Sequence, residues 1–276
     1  MLSVPAAQAK ALDALQDHLA VLAAGRPMAD IGYVCEEVID LFQALGASYL
    51  LLDYDLDRFR RHLVHSGYGR RYQLDRCRQE GETTLDILAV GRTEAFFSTL
   101  VAGHDELVAE LVQASPDAWM PGAEYEDDYC YRAVLHRMAT AHRETDIPVL
   151  LDRFEESLQG ASTSRFDLCR ALVGQQPVAF REAFGALLAD HEAWTETDGR
   201  RQGLDPVASM RSRLFVEGMA LLRLGDQRGL RPDVAYHWCP RLPDDWFKRS
   251  GPWPEDPFAE VERLASSYRT GRATLS

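Results

Sequence analysis

The stretch from Val34 to Leu63, VCEEVIDLFQALGASYLLLDYDLDRFRRHL, decides the fold class. Its apolar positions Val38, Leu41, Leu45, Tyr49, Leu52, Leu56, Phe59 and Leu63 follow at intervals of three or four, which keeps them on one helix face. Asp30 is placed to cap the start, and Gly67 and Gly69 to mark the stop. The acids from Asp53 to Asp55 leave two readings open, one long helix or two helices broken there, because Asp competes for backbone hydrogen bonds. On this reading the polar, arginine-rich stretch from Tyr68 to Gly81 connects helices.

The same periodicity extends in both directions. Ala6 to Ala24 reads as an alanine-rich helix closed by Gly25-Arg26-Pro27. After residue 84 come Leu85 to Val101, a Gly103-His104 turn, and a helix opened by Asp105. Phe166 to Val173, Gly174 and a helix starting near Pro177 repeat that arrangement at an offset of 71 when Gly103 is set on Gly174. Tyr129 to Ala141 and Asp146 to Leu158 form a third hairpin between them, with Asp146 placed to cap and Pro148 tolerated in a first turn. A last strong helix runs from Asp205-Pro206 to Arg228-Gly229. Six of the thirteen prolines fall between 232 and 257 beside Trp238, Trp246 and Trp253, the mark of an irregular covering loop, and Asp256-Pro257 restarts a short helix. The expected architecture is all-α: stacked antiparallel helical hairpins in one body spanning 1–276, with an N-terminal helical subregion 1–80, a repeat-like region 84–270 and an irregular Pro/Trp-rich C-terminal segment.

Composition bounds the function. The 276 residues are 46% hydrophobic and 26% charged, as in an ordinary folded chain. A net charge of −13 argues against direct nucleic-acid binding, which relies on excess positive charge, and favours a basic protein partner. Only Lys10 and Lys248 are lysines, an arginine preference that reads as codon bias. The five cysteines are irregularly spaced with no CxxC pair, which fits a reducing compartment. The start lacks the features of a signal peptide and no apolar run approaches membrane-spanning length, so the expectation is a cytoplasmic protein without membrane contact.

Motifs of catalysis are not found. His62 and His65 share a helix face, but HxxH alone does not make a metal site; His191-Glu192 lacks the second histidine of HExxH. His237 and Cys239 sit in a proline-rich loop that packing explains. There is no phosphate-binding glycine loop and no GxSxG elbow. The expectation is no enzyme, no cofactor and no metal. Glu217, inside an apolar stretch, needs a partner if buried, and Arg213 one turn earlier is the structural ion pair it reads with; contact with a binding partner is the other reading.

Two acidic groups carry the functional argument. One comprises Glu124, Glu126, Asp127 and Asp128, with Tyr125 and Tyr129 interleaved; the other comprises Asp190, Glu192, Glu196 and Asp198, with Trp194. If the hairpins stack, turns and helix ends from different copies line one side and present a negative face to a basic protein, with aromatic anchors; the plainer reading is a soluble surface.

The stretch FVEGMALLRLGDQRGL from Phe215 to Leu230 resembles the late helix of immunity protein family 49 of bacterial polymorphic toxin systems. Arg170 to Gly174, Phe180 to Trp194 and the Tyr236-His237-Trp238-Cys239-Pro240 segment are similar to other parts of that family, while Gly225-Asp226-Gln227 departs from its usual texture. The resemblance implies a mostly helical bacterial antitoxin that binds a cognate toxin domain and occludes its active or substrate-binding site. The acidic balance fits a nuclease or another toxin with a basic surface; oligomeric state stays open. The alternatives are an α-helical adaptor or regulatory scaffold for another protein, and an enzyme without recognised motifs.

Overall fold

The structure, a computed structural model, describes residues 1–92, 94–140, 143–198, 203–230, 234–248 and 252–269. Among these the chain forms α-helices and short 3-10 turns and no strand, so the all-α expectation holds. The helices are α1 (Val4–Ala23), α2 (Met28–Asp53), α3 (Leu56–Glu80), α4 (Ala95–Ala102), α5 (Asp105–Ala114) and α6 (Glu126–Thr140). They continue as α7 (Ile147–Ser157), α8 (Ser164–Val173), α9 (Pro177–Glu196), α10 (Pro206–Arg211), α11 (Val216–Gln227) and α12 (Val261–Arg269).

The periodic stretch from Val34 to Leu63 is two helices. Tyr54 turns the chain in the left-handed conformation at φ 52°, and the Asp55 carboxylate caps α3 by accepting the Arg58 N–H at 2.9 Å. Asp30 lies in the first turn of α2 and makes no cap bond; Pro27 occupies the cap position. Gly67 and Gly69 do not end a helix, and the expected connector from Tyr68 to Gly81 is the second half of α3, which stops at Gly81 with φ 75°. These two glycines lie in the helix because neighbours approach where a side chain would stand. A Cβ on Gly67 would come 2.8 Å from the Leu107 side chain, and one on Gly69 would come 2.9 Å from Ile39. The arginines that made this segment look like a loop work from the helix. Buried Arg70 donates to the Ile87 and Leu88 carbonyls at 2.6 and 3.0 Å, which satisfies the 3-10 turns that replace the start of the helix expected at Leu85.

Gly67→Ala is expected to destabilise the protein by about 1–3 kcal/mol, since overpacking at α4 and α5 outweighs alanine's better helix propensity. Chemical denaturation decides it; an unchanged midpoint would mean α3 can move away from its neighbours.

Helix α2 lies between α1 and α3; α4 and α5 pack on α3, and α12 returns to α1. The α6–α7 and α8–α9 pairs build the opposite side, where α11 joins them to α4. Buried apolar side chains form one continuous cluster from Ala7 in α1 to Ala265 in α12. The two related hairpins, α4–α5 and α8–α9, differ at the turn. Gly103 takes φ 86°, whereas Gly174 stays right-handed and Gln175 takes the positive φ of 50°. Asp146 makes no side-chain cap bond at α7.

The helix expected from Asp205 to Arg228 is interrupted between Arg211 and Val216. There the Phe215 N–H leaves the helical pattern to donate to the Trp238 carbonyl at 2.9 Å, tying α11 to the covering loop. That loop is irregular, as expected over its described part. Trp246 is buried and donates its Nε1–H to the Val101 carbonyl at 2.6 Å, and Trp253 stacks on His104. Residues 232, 233 and 249–251 of the loop and the tail beyond 269 lie outside the described residues.

Candidate functional site

A cleft of about 460 Å³ with charged walls lies among α6, α8, α9 and α11. Each wall has a local reason for its position. Helix α6 begins with the acids Glu126, Asp127 and Asp128, which suit the positive end of a helix. The Thr163 hydroxyl caps α8, which sets Ser164 and Arg165 at its first turn facing the cleft. Asp190 and His191 stand four and three residues before Trp194 on α9, so each neighbours it along the helix surface, and Phe215 to Glu217 enter where the chain breaks between α10 and α11.

Arg165 organises the floor. Its guanidinium grips Glu217 through Nε and Nη2 at 3.2 and 3.1 Å, and its Nη1 reaches Asp128 at 3.1 Å. The fully buried Tyr131 donates its hydroxyl to the same Glu217 carboxylate at 2.7 Å. The partner expected for Glu217 is thereby corrected. Arg213 instead donates to the backbone of Ser209 and Leu2, because the break before Val216 removes it from the helix that carries Glu217. Two further pairs lie alongside, Arg132 with Glu94 at 3.0 Å and Arg211 with Asp40 at 3.1 Å.

Burial and charge act against each other here. Burial disfavours the Arg165 cation, but the Glu217 carboxylate beside it more than reverses that and holds its pKa above the ordinary value. Burial pushes the Asp128 carboxyl up against the pull of Arg165, and pushes Asp40 up to about 6 against Arg211. At Glu94 burial also acts upward, but the surrounding arginines, Arg132 foremost, bring it below its usual range. Three arginines, Arg132, Arg165 and Arg211, thus face six carboxylates, those of Asp40, Glu94, Asp127, Asp128, Asp190 and Glu217. The cleft carries a net negative charge.

The two acidic groups of the sequence meet here in part. Asp127 and Asp128 from α6 and Asp190 and Trp194 from α9 line the same cleft. Tyr125, 79% exposed, and Glu126, paired with Arg153 at 2.7 Å, flank a shallower groove that shares Asp127 with it. The rest do not converge. Glu124 turns inward to accept the Gly91 N–H at 2.7 Å, and Tyr129 is buried with its hydroxyl donating to the Asp117 carbonyl. Glu192 and Glu196 are exposed on α9 away from the cleft, and Asp198 lies beyond its end. Arg165, Arg211, Glu94 and His191 were not singled out by their sequence surroundings as cleft residues; their pairing is tertiary and leaves no local spacing.

No described group of His, Cys, Asp and Glu is arranged to hold a metal ion, and no described helix is long and apolar enough to cross a membrane. His62 and His65 are packed among aromatic rings, with His62 stacked on Tyr49 at 5.2 Å and His65 edge-on to Phe42 at 5.3 Å. Cys239 is buried, and burial pushes its thiol up to about 12, the reverse of what a nucleophile requires.

No curated relative and no solved structure matches the chain. A family model described as immunity protein 49 matches residues 56–242, from the start of α3 into the covering loop, and takes in the α6, α8, α9 and α11 walls of the cleft. With well over half its length inside that match, and the late helix at Phe215 to Leu230 within it, the chain belongs to the immunity protein 49 family.

Proposed function

We propose that this protein neutralises a cognate bacterial toxin in the cytoplasm by seating the acidic cleft and its rim over the toxin's basic active or substrate-binding surface. It acts by occupation and carries out no chemistry of its own. The observation that carries this reading is the pair Asp127 and Asp190. They stand on separate helices across the cleft, and neither has a cationic partner among the described residues. Every other carboxylate of the cleft is matched to an arginine. Unmatched charge at a cleft mouth attracts a partner of opposite sign and speeds encounter, while Trp194 and the exposed Tyr125 supply apolar area that holds the complex after desolvation. A nuclease, whose substrate surface is basic, is the toxin class these charges suit best.

The test is co-expression with any toxin-like product of a neighbouring gene, scored by growth and by a purified complex. The wild type is expected to rescue growth. Asp127→Arg with Asp190→Arg is expected to slow association at low salt by about tenfold or more. Growth arrest unrelieved by the wild type, with no complex, would refute the reading. Glu126 and Asp128 are poorer choices for reversal, since each holds an arginine of the fold.

A further inference from the structure

We propose that the cleft receives a single arginine side chain from the partner, whose guanidinium lies between Asp127 and Asp190 beside the imidazole of His191. The inference rests on the toxin-binding reading and specifies what enters the site.

Three observations converge on that chemistry. Asp127 and Asp190 have no cationic partner among the described residues, and Asp190, exposed at the cleft, accepts the Ser164 hydroxyl at 2.6 Å. His191 supplies the second, independent observation. It lines the cleft, is only 8% exposed, and its Nε2 has no hydrogen-bond partner. A neutral imidazole has one donor and one acceptor nitrogen, and in the tautomer protonated at Nδ1 the unpartnered Nε2 accepts an N–H from a ligand. Burial keeps the ring neutral by lowering its pKa. A ligand that brings N–H groups and positive charge together meets both the two carboxylates and this nitrogen.

The third observation is shape. His191 lies flat on Phe215, with centroids 4.2 Å apart and planes at 16°, and stacks with Trp194 at 5.8 Å. A planar cation fits beside such rings, and guanidinium presents five donors in one plane, enough for two carboxylates and an imidazole at once. An ammonium is a compact point charge without that plane. Arg165 and Arg211 do not repel the incoming cation strongly, because each is already matched to carboxylates.

The probe is Nα-acetyl-arginine methylamide, titrated into the full-length protein and followed by NMR at the His191 imidazole and the Trp194 indole. Saturable shifts at both are expected. The citrulline analogue, which has the same shape without the charge, is expected to bind at least tenfold more weakly. Asp127→Asn with Asp190→Asn is expected to weaken arginine binding at least tenfold with an unchanged circular dichroism spectrum, since neither carboxylate holds an ion pair among the described residues. His191→Phe, which keeps the ring and removes the acceptor, is expected to cost about threefold. No shift at either residue, equal binding of citrulline, or unchanged affinity in the double variant would overturn the proposal. A toxin complex that forms equally well with the double variant would overturn arginine insertion and leave neutralisation standing. Arginine binding without any toxin complex would leave the cleft's chemistry standing and remove its assigned partner.

Discussion

Acidification from pH 7 to pH 4 is expected to unfold this protein, and histidines buried in the neutral form are the reason. Burial, with nearby arginines adding to it, lowers His65 and His136 to about 3 from an ordinary value of 6.5; His62 is lowered well below that value by the same cause. The unfolded chain takes up these protons below about pH 6.5 and the native chain does not, so each group's contribution is intact above 6.5 and is lost as pH falls toward 3. At 1.36 kcal/mol per pH unit, His65 and His136 each remove about 3 kcal/mol by pH 4. Together, at about 6 kcal/mol, they take a large share of the roughly 5–15 kcal/mol that holds a typical domain folded. Asp40 acts in the opposite sense. Burial raises it to about 6, so the native state gains relative stability as pH falls from 6 toward 4, offsetting about one histidine. Glu94 adds to the loss, because its pKa is depressed and its pair with Arg132 dissolves on protonation. Thermal melts between pH 7 and pH 4 measure the balance, and His136→Gln should flatten the curve. A melting temperature that stays level over that interval would show that these rings reach water in the native state.

The helical face from Val38 to Leu63 was legible because a period of three to four is a local property, and the tertiary structure only divided it at Tyr54. Gly67 and Gly69 misled for an equally physical reason. Glycine marks a helix end when the backbone needs a positive φ, but here it serves close approach by Leu107 and Ile39, elements distant in sequence. The arginines of α3 had the same effect: Arg70 looks like a loop residue until its acceptors, the Ile87 and Leu88 carbonyls, are known. Of the candidate site, the acids were readable by charge, but that Asp127 and Asp190 are the cleft acids with no ion pair among the described residues is a tertiary fact that eight similar acids in the sequence do not disclose. Glu124 and Tyr129 looked identical in sequence and were taken inward by Gly91 and Asp117, which only folding brings near. The α11 stretch that carries the family resemblance is tightly packed in the structure. Gly218, for example, faces Phe215 and Cys239 so closely that a Cβ would lie 2.6 and 2.7 Å from them.

Replacing Glu217 by alanine is expected to cost about 3 kcal/mol, with most of the loss shared with Arg165. The carboxylate is 7% exposed and holds two partners, the Arg165 guanidinium through two nitrogens and the Tyr131 hydroxyl. Its removal leaves a buried phenol without an acceptor, at about 1–3 kcal/mol, and a cation without its bidentate partner. The cation's share is moderated because Arg165 is 37% exposed and keeps Asp128 at 3.1 Å, so water and a second carboxylate recover part of it. Glu217→Gln retains an acceptor for Tyr131 and is expected to cost about half as much. A double-mutant cycle separates the pair from its surroundings. Glu217 and Arg165 should couple by about 1 kcal/mol or more, whereas Glu217 and Arg213 should be additive within about 0.5 kcal/mol, because Arg213 spends its donors on the Ser209 and Leu2 backbone. The consequence reaches the cleft as well as the fold. With Glu217 gone, Arg165 retains only Asp128 and its charge faces the site, so a partner that approaches as a cation should bind more weakly. The reverse outcome, additivity with Arg165 and coupling to Arg213, would place the buried charge in a different helix arrangement and remove the organising residue of the cleft floor.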